Sequence, residues 1–216
     1  MRPGHDRGRR RFKARTLCRR GLLSMAAALA LTRRAAAQST RSVRYRATID
    51  GLDGRTLSLT TRAGQQVTMT LPSDAVILAI VPMKLEDIGP GAYIGSAAMP
   101  RPDGTQRALE VHVFPENMRG TGVGHRPFDL ERNSTMTNGT VGAVSGTSER
   151  KLKVAYPDGE KIIVVPPDTP VVTFEPGSRD LLVKGAHCIV SGTEAPDGTL
   201  SVIRILVGKD GLVPPM

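Results

Sequence analysis

The 216-residue chain carries 30 Lys and Arg against 20 Asp and Glu, holds no Trp and has only two Cys. Of those charges, 11 basic residues and the single acid Asp6 lie before residue 38, leaving 19 of each sign beyond it. The chain past the leader is therefore neutral and poor in aromatic rings, which excludes the basic footprint and stacking platforms of a nucleic-acid binder.

Residues 1–37 read as a targeting peptide. A basic stretch that includes Arg9, Arg10, Arg11 and Lys13 precedes an apolar run from Gly21 to Leu31, and Ala35-Ala36-Ala37 offers a cleavage site before Gln38. The run has about 11 residues where a membrane span needs about 20, so removal is expected and no stable membrane insertion. Arg19-Arg20-Gly21-Leu22-Leu23 resembles a twin-arginine signal, with a general secretory signal as the alternative. Cys18 precedes the apolar run and is not placed for lipidation. Cys188 alone survives cleavage, so no internal disulfide is expected and stability must come from burial.

From Val43 the chain reads as strands. Tyr45, Ala47 and Ile49 alternate with polar residues, Asp53-Gly54 turns the chain, and Leu57 and Leu59 alternate in a second strand. Ala63-Gly64 leads to a third strand with Val67, Met69 and Leu71 inward. Residues 75–81 are apolar almost throughout, as in a strand covered on both faces. Lys84 to Ile88 suits a helical turn, and a final hairpin folds about Pro102-Asp103-Gly104 with Leu109, Val111 and Val113 inward.

The same order returns at a spacing of 95 residues, falling to 94 after the third strand. Leu57 and Leu59 match Leu152 and Val154, Val67 and Met69 match Ile162 and Val164, and Gly91 matches Gly185. Pro102-Asp103-Gly104 matches Pro196-Asp197-Gly198, and Leu109, Val111 and Val113 match Ile203, Ile205 and Val207. A constant spacing that carries both turns and inward positions marks an internal duplication. The expected fold is all-β: two tandem small antiparallel β-barrels, OB-like or Greek key, over residues 43–114 and 138–208, with an open sandwich as the alternative. Residues 209–216 form a tail.

Thr56-Leu57-Ser58-Leu59-Thr60, Leu85-Glu86-Asp87-Ile88-Gly89-Pro90-Gly91 and the Pro-Asp-Gly hairpin resemble the small β-barrel domain DUF5666 of exported bacterial proteins. The resemblance covers residues 43–113 well and 139–207 less well, because Asp180 to Gly185 replaces the helical turn. It implies a barrel and an envelope location, and it brings no catalytic residues.

Residues 115–137 fit neither strand nor helix period and have no second copy. An ordered strap between the barrels is expected, docked through Arg119, Arg126 and Phe128, with His125 facing the ligand. Gly120-Thr121-Gly122-Val123-Gly124 lacks the Lys-Ser or Lys-Thr of a phosphate loop and reads as a set of sharp turns. His112, read as outward on its strand, joins Glu116, His125 and Asp129 as a candidate Zn or Cu site of borderline ligands, although their spacing matches no standard motif. The scattered methionines read as core filler and loop residues, and Cys188 as a buried, inert thiol. Thr68 and Thr70 become Ile163 and Val165 in the second copy, which points to an apolar contact strip on that strand.

No Ser or Cys has a neighbouring histidine in a recognisable hydrolase setting, so the reading is a non-enzymatic exported protein, a binding or interaction module without cofactor. Its partner would be an envelope protein or a small ligand, and its location periplasmic or otherwise exported. Two alternatives are a periplasmic metal-binding protein and an enzyme with a cleft between the barrels lined by Arg119, His125 and Arg126.

Overall fold

Alternating inward residues and Gly-bounded turns recur along the chain, and the structure converts nearly all of them into strands. It is a computed structural model that describes residues 40–145 and 150–216, the side chains of 143–145 excepted. The leader, with Arg19, Arg20 and Cys18, lies outside the described residues. Those described are all-β, with fourteen strands and four short 3-10 turns. None of their helices is long and apolar enough to cross a membrane.

The first copy supplies β1 (Arg41–Asp53), β2 (Thr56–Thr61), β3 (Gln66–Thr70), β4 (Val76–Pro82), β5 (Tyr93–Pro100), β6 (Gln106–Ala108) and β7 (Val111–Phe114). The strap contributes β8 (Gly124–Pro127). The second copy supplies β9 (Thr135–Ser145), β10 (Lys151–Tyr156), β11 (Gly159–Val164), β12 (Val171–Pro176), β13 (His187–Glu194) and β14 (Leu200–Gly208). All fourteen join one mixed sheet.

The pairing departs from a barrel per copy. β1, β2 and β3 are closed into a circuit by β13 and β14 of the second copy, while β9, β10 and β11 are closed by β5 and β6 of the first. Each copy thus gives its final hairpin to the other. The crossover runs through β4 and β12, which pair antiparallel with Ile80 opposite Phe174. β4 also runs parallel to β14, as β12 does to β7. Alternation specifies which residues face inward but not which copy supplies the neighbouring strand, and residues 38–216 accordingly form one compact unit.

The exchange makes the cores joint property. Ile49, Leu57, Leu59, Met69 and Leu71 pack with Val190, Val202, Ile205 and Val207. Leu152, Val154, Ile163 and Val165 pack with Ile94, Ala108 and Val111. Four such side chains contribute about 1.5–3 kcal/mol each on burial. For Val190, Val202, Ile205 and Val207 that total is comparable with the whole stability of a small domain, about 5–15 kcal/mol, so the core of the first half depends on the second copy's hairpin. A third cluster fills the seam with Ile80, Tyr93, Phe114, Val172, Phe174, Ile189 and Met216.

Three local expectations are corrected. Ile163 and Val165 form no outward strip. Both are buried, Ile163 at 0% exposure, while Ile162 is 42% exposed. The spacing falls to 94 inside the second hairpin and not after the third strand: Thr60 pairs with Gln66 around five loop residues, whereas the matching Ala155 and Glu160 enclose four. One residue fewer inverts the facing of every residue beyond the turn. Ile163 and Val165 therefore take the places of Met69 and Leu71.

The second copy also keeps the helical turn, as a 3-10 turn over Arg179–Leu181 that matches Leu85–Asp87. Ile203, expected inward, is 55% exposed, because Ser191 pairs with Arg204 but Gly192 pairs with Val202, leaving Ile203 as a bulge. Its counterpart Leu109 sits at the break between β6 and β7, where the amides of Leu109 and Glu110 both donate to the Ala97 carbonyl.

Candidate functional site

The four residues expected to bind a metal are separated, each with a partner of its own. His112 is buried and not outward: its ring packs against Phe114 and Phe174 at the seam, while Val111 on the other face of β7 lies in the second core. Glu116 is exposed and pairs with Arg119, which holds its carboxyl below the usual range. His125 Nδ1 lies 2.8 Å from Thr137 Oγ1, with its ring stacked on Tyr156. Burial first, then the charge of Lys161, lowers its pKa. Asp129 accepts hydrogen bonds from both terminal nitrogens of Arg46, at 2.8 and 3.0 Å, and its pKa is lowered by that pairing. Among the described residues no three His, Cys, Asp or Glu are gathered as metal ligands.

His112 belongs to a polar cluster at the seam. Its Nδ1 lies 3.0 Å from Glu110 Oε2, and Glu110 is itself 0% exposed, with Oε1 accepting from the Ala97 amide at 2.8 Å. The imidazole stands edge-on to Phe114 and Phe174. Its other nitrogen and Asn138 Oδ1 both press on Gly95, where a Cβ would collide with them. Asn138 Nδ2 donates to the Thr121 carbonyl at 3.0 Å, while its Oδ1 has no hydrogen-bond partner. The sequence carries a signal for this cluster in Gly95, a glycine within a strand, where close approach of another group is the usual reason.

The strap touches both halves. β8 pairs with β9, and the Thr121 carbonyl accepts from the Tyr93 hydroxyl as well as from Asn138. Arg119 donates to the Gly91 carbonyl and lies over the Tyr93 ring. Arg126 donates to the Gly122 carbonyl at 2.7 Å. Phe128 is half-buried beneath the guanidinium groups of Arg44 and Arg46, 5.4 and 5.6 Å from its centroid, so Asp129 and Phe128 together tie the strap to β1. Arg119, His125 and Arg126 are thus each engaged locally.

Two concave surfaces lie on the β1–β2–β3–β14–β13 half. One, of about 390 Å³, is lined by Thr48, Asp50, Thr60, Arg62 and His187 beneath the tail residues Val213 and Pro214. Thr60 donates to Asp50 at 2.8 Å, His187 Nδ1 lies 3.2 Å from Thr48 Oγ1, and Arg62 holds the tail through the Pro214 carbonyl. Cys188 lies at its floor, where burial pushes the thiol up to about 12, so it has no thiolate character for chemistry. The second surface, of about 410 Å³, is lined by Arg44, Ser191 and Arg204. Sequence reasoning missed both, because each is assembled from β1 and the other copy's hairpin.

No family model, curated protein or solved structure matches the chain, and the likeness to the DUF5666 domain rests on its strand and turn pattern.

Proposed function

We propose that the chain is an exported, non-enzymatic binding module whose two circuits are OB-like barrels with exchanged hairpins, and that the β1–β2–β3–β14–β13 half takes a small ligand. The observation that carries this reading is the difference between two halves built on one plan. Where the second half fills its outer face with the strap, the Glu110–His112–Asn138 cluster and aromatic rings, the first half leaves two open grooves. Open, partly polar concavities are what a small solute requires. A binding role is favoured over catalysis because each described histidine is committed to a neighbour and Cys188 is buried and protonated. Export rests on the leader's basic, apolar and small-residue order and on the DUF5666 resemblance.

Two measurements test the proposal. Fractionation with N-terminal sequencing should recover the chain from the envelope beginning at Gln38; recovery of the intact leader in the cytoplasm would remove the export half. Thermal-shift titration of residues 38–216 against sugars, amino acids, organic acids and phosphate esters should raise Tm saturably for one class. Substitution in the groove that holds the solute, at His187 in one or Arg204 in the other, should abolish that response. A flat response to every class, or turnover of a solute, would remove the binding half.

A further inference from the structure

The groove on the outer face of β1, β13 and β14 has a charge arrangement that the fold itself leaves unbalanced. Arg44 on β1 and Arg204 on β14 are both ladder partners of Ser191 on the strand between them. The three side chains therefore leave the same face of three adjacent strands and line one groove, with their Cα atoms about 5 Å apart from strand to strand. Ser42, Val43 and Ile203 complete the groove. The Ile203 bulge re-aims the strand at this point and brings Arg204 into register with Ser191.

Neither arginine makes a direct ion pair among the described residues. The Nε of Arg204 is buried and makes no hydrogen bond. Arg44 lies over the Phe128 ring, and desolvation followed by the charge of Arg46 lowers its pKa against the weaker opposing pull of Asp129 and Glu110. The nearby acids are committed elsewhere: Asp129 to Arg46, Glu194 to Arg41, and Glu110 to His112 and the Ala97 amide. The other half shows that the fold does not need the pair. There the matching ladder runs Met136 to Ala97, and Glu110 takes the place of Arg204.

We propose that this groove binds an oxyanion, the carboxylate or phosphate group of a small solute, between Arg44 and Arg204 with the Ser191 hydroxyl donating. Planar guanidinium forks match both oxyanions in bidentate geometry. Val43 and the exposed Ile203 give the ligand's carbon portion an apolar edge. The inference rests on the binding-module reading and names the ligand class.

Isothermal titration of residues 38–216 at 150 mM NaCl with inorganic phosphate, with succinate and with the neutral solute glycerol tests it. Saturable binding of phosphate or succinate but not glycerol is expected, and the anion that binds identifies the source. Arg44→Ala and Arg204→Ala should each weaken it at least tenfold, Ser191→Ala less, and Arg62→Ala in the other groove not at all. Arg204→Met guards against loss of packing: a folded Arg204→Met protein with unchanged anion affinity overturns the proposal. So does the absence of saturable binding by either anion. If both anions fail while a neutral solute binds saturably, the oxyanion site falls and the binding module stands; if nothing binds, both fall.

Discussion

Ile80 pairs with Phe174, its own counterpart at the 94-residue spacing. An antiparallel pair of equivalent residues marks the local two-fold axis of the duplicated chain, and the partners on either side, Ala79 with Glu175 and Val81 with Thr173, are placed symmetrically about it. Because the axis passes through the β4–β12 ladder, each copy runs into the other's half once it crosses that ladder. The exchange of hairpins follows from this.

The exchange can be trapped covalently. Thr70 on β3 is the parallel ladder partner of Ser201 on β14, residues that a barrel per copy would hold apart. Paired Cα atoms fall within the 4.4–6.8 Å or so that a disulfide spans. A Thr70→Cys, Ser201→Cys double variant is expected to oxidise to a monomeric, intramolecular disulfide, seen as a mobility shift on non-reducing gels. Intermolecular dimers alone would contradict the pairing.

The turn-length correction sets Ile162 against Ile163. Ile163→Ala removes a fully buried side chain and should cost about 2–5 kcal/mol by urea unfolding. Ile162→Ala, on the open face, should stay within about 0.5 kcal/mol. Equal effects would restore the opposite facing.

Gly95 is required by the ring laid against it. Gly95→Ala should lose about 1–3 kcal/mol, because its Cβ meets His112 Nε2 and Asn138 Oδ1. Removing the ring in a Gly95→Ala, His112→Ala double variant should cost less than the sum of the two single changes, and a double-mutant cycle reads that coupling. Strict additivity would show that the strain lies elsewhere.

His125 should make stability depend on pH. Its folded pKa lies below the free value of about 6.5, so the unfolded chain takes up the proton first. Its contribution is complete above about pH 6.5 and is lost as pH falls from there through the lowered folded value. An NMR titration of the ring proton should give a midpoint below 6.5, and His125→Gln should flatten the slope of Tm against pH in that window. A midpoint above 6.5 would reverse the sign.

Cys188 tests the burial of the exchanged hairpin. With its thiol pushed up to about 12, it should resist iodoacetamide at pH 8 in the native protein and react fully in denaturant. Rapid native labelling would mean that β13 opens readily from β1.

By itself the sequence determined the duplication, the order of strands and turns, and most inward positions, because alternation and Gly-bounded turns are local properties. Leu57, Leu59, Leu152 and Val154 lie where their alternation places them. Tertiary structure decided which copy closes each circuit, since two hairpins of nearly equal pattern compete for the same edges and only the β4–β12 ladder breaks the tie. It also decided the facing of Ile163, where one missing loop residue inverts a strand, and the burial of His112, which packs against Phe174, a residue distant in sequence. The Arg44–Ser191–Arg204 set was illegible for the same reason: Arg44 lies some 150 residues from the other two and meets them only because β13 and β14 cross to the first copy.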